Sequence, residues 1–397
     1  MRIFVHGVFA MLLLVDSAVA ASPAVIEIVS PARGGAAQPF LHATGDALFM
    51  SWLEPAAQPG TVALRFARFA SGHWSEARTI TEGTKLFVNW ADFPSMVADR
   101  EGVLFAHWLE KSGSGTYAYD VRMATSKDGG RTWSKPFLLN RDGRKTEHGF
   151  VTLAPLMASG VGATWLDGRN MAERKEEGEM TVRYASVDAD GAVRSDVQLD
   201  SRTCECCTTG MAMTTDGPVV VYRDRSPEEV RDIAVVRRSG NGWTKPALVH
   251  SDGWKIAGCP VNGPQVASSG GRIAVAWFTA AQDHPRVYVT FSDDAGRSFA
   301  KPIVVDDGMP VGRVDIVMLD SKTAFVTWIE QTAAGAEIRA RLVGRNLSPA
   351  PSIKIAASSV ARSAGFPRMA RAGRDVYVAW TDHGANEKRV HVARVSF

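Results

Sequence analysis

Seven times along this chain a short, strongly apolar run ends in a large aromatic residue, and in six of the seven a carboxylate follows two positions later. The runs are Leu48-Phe-Met-Ser-Trp52-Leu-Glu54, Val103-Leu-Phe-Ala-His-Trp108-Leu-Glu110, Val161-Gly-Ala-Thr-Trp165-Leu-Asp167, Val219-Val-Val-Tyr222-Arg-Asp224, Ile273-Ala-Val-Ala-Trp277-Phe-Thr279, Ala324-Phe-Val-Thr-Trp328-Ile-Glu330 and Val376-Tyr-Val-Ala-Trp380-Thr-Asp382. Each reads as a short, strongly apolar strand that ends in an aromatic residue. Around it the pattern relaxes into alternating strands broken by Gly and Asp, as in Val62 to Phe69, Met180 to Val187, Ile233 to Arg238, Arg286 to Ser292 and Ala336 to Leu342. The aromatics are 56, 57, 57, 55, 51 and 52 residues apart. Seven even copies of about four short strands predict an all-β propeller of seven four-stranded blades, with a six-bladed ring and one peripheral unit as the alternative.

The seventh unit has three strands and stops at Phe397. Its missing fourth strand is matched by Val25 to Val29, which stands alone ahead of the first unit, so the chain ends are expected to pair and close the ring without exposed edges. Lys-Pro precedes three outer strands, at 135 and 136, 245 and 246, and 301 and 302, where a missing backbone donor costs little.

Two turns refine this picture. Ser126-Lys-Asp128-Gly-Gly130-Arg-Thr-Trp133 joins alternating segments, its Asp placed to accept nearby backbone N–H groups and its Gly tolerating positive φ. The pattern returns three units later as Ser292-Asp-Asp294-Ala-Gly296-Arg-Ser298-Phe299. Ser-x-Asp-x-Gly-x-Thr-Trp resembles the Asp-box, or bacterial neuraminidase repeat, of the sialidase-type propellers. In that family the boxes are structural and lie away from the active site. The resemblance implies an exo-sialidase-like glycoside hydrolase with three arginines on the sugar carboxylate, a Tyr nucleophile activated by Glu, and an Asp acid/base. The Phe-Arg-Ile-Pro motif that usually carries the first arginine is absent here: Phe40-Leu-His42 lacks the Arg, and Phe366-Pro-Arg-Met369 is scrambled and at the wrong end.

The ordinary composition, with a net charge of only +3, gives no basic surface that would point to nucleic acid. Residues 1–20 carry Arg2, the apolar run Met11-Leu-Leu-Leu-Val15 and the small-x-small end Ala18-Val-Ala20, which predicts a cleaved secretory signal. The expected product is residues 21–397, a single propeller that is periplasmic or secreted and has no later membrane span.

In such a blade the loops from strand 2 to strand 3, and from strand 4 to the next blade, open on the face opposite the two boxes. That face receives 89–92, 167–175, 203–209 and 223–227, the chemically richest stretches of the chain, and is the candidate binding face. Its ligand candidates are Arg33, Asp92, Arg169, Tyr222 and Arg223, with Arg225 and Glu147 nearby. The repeated carboxylates are expected to tie each blade rim to Arg or backbone donors. Cys204, Cys206, Cys207 and Cys259 fall in adjacent inter-blade loops of this face. They read either as disulfides of an exported protein or as soft ligands for Cu or Zn, with His148 and His250 as further candidates. The expected function is ligand binding at this cysteine-marked face, the ligand being a metal, an anionic glycan or a protein, with glycoside hydrolysis as the alternative.

Overall fold

A computed structural model describes residues 23–171, 178–383 and 387–397. The secretory signal read at residues 1–20, and residues 172–175 of one loop, lie outside them. Seven four-stranded antiparallel sheets follow one another along the chain. Blades 1 to 6 comprise 37–83, 95–138, 148–200, 210–250, 265–304 and 310–358, and blade 7 comprises 368–396 together with the first strand. In blades 1 and 4 the outer strand is interrupted, so two short segments pair in turn with the third strand.

Ring closure is as the strand count requires. Ala24–Ile28 pairs antiparallel with the last strand, setting Val25 opposite Val395 and Ile28 opposite Val392. The core consists of layers between neighbouring blades: Phe278, Val287 and Val289 of blade 5 meet Val314, Ile316 and Trp328 of blade 6. A sheet flanked on both faces needs apolar residues at successive positions, and the second strands meet this with Trp52, Trp108, Trp165, Trp277 and Trp328 all but completely buried.

Burying an indole strands its N–H, and in blades 1, 3 and 6 the repeated carboxylate satisfies it, whereas the buried Trp108 N–H of blade 2 has no hydrogen-bond partner among the described residues. Trp52 donates to Glu54 (2.7 Å), Trp165 to Asp167 (2.8 Å) and Trp328 to Glu330 (2.6 Å). The partner is thus the blade's own tryptophan as well as the expected arginines, which contribute contacts such as Arg65 on Glu54 and Arg122 on Glu110. In blade 5, where Thr279 replaces the acid, Trp277 donates instead to Asp252 from the loop that follows the outer strand of blade 4 (2.7 Å).

The two singled-out turns share one hydrogen-bonded form. The Asp128 carboxylate accepts from the N–H groups of Arg131 and Thr132 (2.9 Å each) and from the hydroxyls of Ser126 and Thr132, and the Ser126 hydroxyl accepts from Gly130 N–H. Asp294 treats Ser292 and Ser298 in the same way. Trp133 packs edge-on against Phe66 of blade 1, so the turn fastens one blade to the blade before it.

Candidate functional site

On the opposite face the chain between blades 1 and 2 reaches over the channel mouth. Asn89 Oδ1 accepts from the N–H groups of Ala91 (2.9 Å) and Asp92 (3.4 Å), a local turn that sends Trp90 across the mouth and Asp92 inward. Trp90 stacks on Phe366 from the approach to blade 7 (5.9 Å, 16°), with the Arg313 guanidinium of blade 6 over its ring at 5.1 Å. The mouth is therefore filled by aromatic rings.

Three inner strands enter the ring through a bulge whose residue is left-handed: Gln38 (φ 55°), Phe150 (φ 53°) and Arg313 (φ 57°). Such conformations cost roughly 1–3 kcal/mol each and persist only where neighbours enforce them. Here the enforcer is a side chain from the preceding blade or from the loop leading into it. Gln38 N–H donates to Thr381 (3.0 Å), Phe150 N–H to Asp92 (2.7 Å) and Arg313 N–H to Asn262 (2.7 Å).

Asp92 does more than hold a bulge. The Tyr119 hydroxyl lies 2.9 Å from Asp92 Oδ2 and 2.8 Å from Glu147 Oε1. One phenolic proton cannot be donated to two carboxylates, so one acid must keep its own proton and donate it to the tyrosine oxygen. Burial raises Asp92 to about 8, despite the bonds from Phe150 and Tyr119 that lower it, and the Glu147 charge adds to the rise. Burial raises Glu147 to about 7, with Glu205 adding to the effect. The Tyr119 hydroxyl is itself pushed far up by burial and by the two acids.

Beside Glu147, the strand 2 to strand 3 loop of blade 4 gathers charge. Glu229 sits at φ 63°, its turn fixed by Ser226, which accepts the N–H groups of Glu229 and Val230. Its carboxylate is approached by three guanidiniums: Arg225 at 2.7 Å, Arg231 at 2.9 Å and Arg202 at 3.5 Å. Arg225 and Arg231 also contact Glu205, and Arg202 and Arg225 contact Glu179.

The cysteines lie under this network. Cys206 and Cys259 form a disulfide across the two inter-blade loops, with Cα atoms 5.9 Å apart. Cys204 and Cys207 are free, fully buried and have their sulfurs 2.8 Å apart. Arg231 donates to Cys204 Sγ at 3.5 Å. Beneath them Arg223, 1% exposed, gives its N–H groups to the carbonyls of Asn262, Arg231 and Phe278 and lies over the Trp254 ring (4.8 Å).

The other candidates are scattered. Arg33 lies on the blade 1 and 7 rim, in a hollow it shares with Glu27, Glu387 and Arg389. Arg169 is held bidentately by Asp167 (2.7 and 2.6 Å), and the Tyr222 hydroxyl donates to Asp200 (2.5 Å). His148 is buried between Asp142 and Asp167, and although burial opposes it, these acids raise its affinity for a proton. His250 pairs with Asp252, so neither histidine joins the sulfurs. Tyr119, Arg202, Glu229 and Arg231 escaped sequence reasoning. The dense alternation of charge in 223–232 was the available signal for the last two.

No family model matches the chain, and no curated protein matches it either. Among solved structures it is similar to the polysaccharide lyase Uly1, with TM-score 0.53, 10% identity, and 90% of this chain and 89% of that chain covered. It is likewise similar to a protein of unknown function from Dyadobacter fermentans DSM 18053, with TM-score 0.52, 11% identity, and coverage of 94% and 98%. A Hadza microbial sialidase, Hz136, matches with TM-score 0.45 and 14% identity over 74% of this chain and 63% of that chain, so the chain spans less than two thirds of that relative. At these identities the likeness to the first two structures is one of fold alone.

Proposed function

We propose that this protein is an exported propeller whose loop face, over blades 2 to 4, binds a carboxylate-bearing glycan. The observation that carries this reading is the convergence of Arg202, Arg225 and Arg231 on the single carboxylate of Glu229. Guanidiniums arranged around one carboxylate are the donor set a sugar acid needs, since each offers a planar fork matched to two oxygens. Glu229 stands on a loop turn, and its carboxylate takes the place among the arginines that a ligand carboxylate would take. Glu147, half-buried on the same face, would accept from sugar hydroxyls.

Glu229→Gln should leave the three arginines short of one negative charge and tighten binding of N-acetylneuraminate or a uronate by about tenfold, or about 1.4 kcal/mol. Arg225→Ala should abolish binding. Titration calorimetry would test this with neutral N-acetylglucosamine as control. Equal heats for charged and neutral sugars in both the parent and E229Q would overturn the reading.

Glycoside hydrolysis is the second reading, favoured by one observation: Tyr119 touches both a Glu and an Asp, the set that sialidase chemistry uses. Tyr119 is 1% exposed, so turnover would require the 89–93 segment to move. Release of umbelliferone from a sialoside by the parent, lost in Tyr119→Phe, would establish it. No release by the parent would exclude it for that substrate.

A further inference from the structure

Two of the four cysteines are bridged and two are not, and the free pair is the buried one. Cys204 and Cys207 have 0% and 1% exposure, whereas Cys259 opens to solvent and Cys206 is half-buried. Cys204 Sγ lies 2.8 Å from Cys207 Sγ and 3.9 Å from Cys206 Sγ, so it stands between its free partner and the existing disulfide.

Charge makes Cys204 the nucleophile. Arg223 is a buried cation whose bonds all go to carbonyl oxygens, and a cation in such a place requires a counter-charge. Arg231 reaches the same sulfur directly. Burial alone would raise the Cys204 thiol, but the Cys207 thiol, the Cys206 backbone N–H and the two guanidiniums outweigh it and lower it. Cys207 is driven the other way by burial and by the neighbouring Cys204 charge. A thiolate beside a neutral thiol is the arrangement thiol–disulfide exchange needs.

We propose that the four cysteines form an internal two-electron relay, in which the buried Cys204/Cys207 dithiol exchanges with the solvent-facing Cys206–Cys259 disulfide. Cys204 thiolate attacks Cys206 Sγ, the Cys206–Cys259 bond breaks, and Cys259 leaves as a thiolate that takes a proton from water. Cys207 then gives up its proton to solvent and attacks Cys204 Sγ, breaking the transient Cys204–Cys206 bond and releasing Cys206, which is protonated in turn. One disulfide is consumed and one formed. The buried pair is oxidised, the exposed pair is reduced, and no outside oxidant enters. The exposed pair can then pass its electrons to a disulfide-bearing substrate that reaches Cys259, which restores the Cys206–Cys259 disulfide, and an outside dithiol can reduce that disulfide again.

The test uses the full exported chain. The protein is first brought to the state with one disulfide and two thiols, sampled over time by acid quench and alkylation, and its bridges are mapped by peptide mass spectrometry. The relay predicts that label at Cys206 and Cys259 rises as label at Cys204 and Cys207 falls. Cys207→Ser should trap the Cys204–Cys206 bridge with Cys259 free. A bridge that never leaves Cys206–Cys259 in the parent overturns the relay, as does a stoichiometric copper or zinc ion bound by four unbridged sulfurs.

Discussion

Asp92→Asn isolates the buried acid pair. An acid raised in the fold keeps its proton where the unfolded chain has lost it, so its contribution is complete below the ordinary value of 3.8 and disappears as pH rises through the folded value of about 8. Between those values one such proton tilts stability by about −1.4 kcal/mol per pH unit, or about 2.7 kcal/mol from pH 5 to pH 7. This is an upper bound because Glu147 shares the proton. The asparagine should fold: its oxygen still accepts from Phe150 N–H, and its amide can donate to the Tyr119 oxygen. Asn262 already holds Arg313 N–H in this manner three blades further on. Urea unfolding of parent and variant at pH 5, 6, 7 and 8 measures the tilt directly. The parent should lose stability relative to the variant as pH rises, by up to the stated amount between pH 5 and pH 7. Parallel curves would refute the shared-proton account.

Gly130→Ala places a methyl group against the Phe66 ring at a φ of 79°, and should cost about 2 kcal/mol or more, seen as a lowered melting midpoint. Asp252→Ala strands the Trp277 indole and should cost about 1–3 kcal/mol, and adding Thr279→Asp, which recreates the acid of the other blades, should recover part of that loss in the same melts. Removing residues 24–28 uncovers the edge of Lys388–Ser396, and light scattering should then report more self-association than the full chain shows.

The fold was legible because its determinants are local and repeated. A run such as Val161 to Asp167 specifies a strand, its burial on two faces and its own indole cap within seven residues, and seven evenly spaced copies fix the blade number. Pairing of the first and last strands followed from a count. The site was legible only as a face. Its members come from single, unrepeated loops, and what unites Tyr119 with Asp92 and Glu147 is curvature of the ring, which leaves no spacing to read. Arg223 illustrates the difficulty: its type and loop suggested a ligand contact, yet it is spent on carbonyls beneath the cysteines. The cysteines were the exception, because adjacent loops at equivalent points in successive repeats must emerge side by side.

The way the ring closes also has a mechanical and spatial meaning. Ala24 lies opposite Ser396, so the first and last strands have these ends side by side, on the side of the Asp128 and Asp294 turns and away from the aromatic mouth. A tether joined after Ser396 therefore starts on the side away from the loop face. Tension applied between the two ends opens the closing strand pair one hydrogen bond at a time, like a zip pulled from its slider. The latch that hides the last edge is thus also the place where this ring gives way first under load.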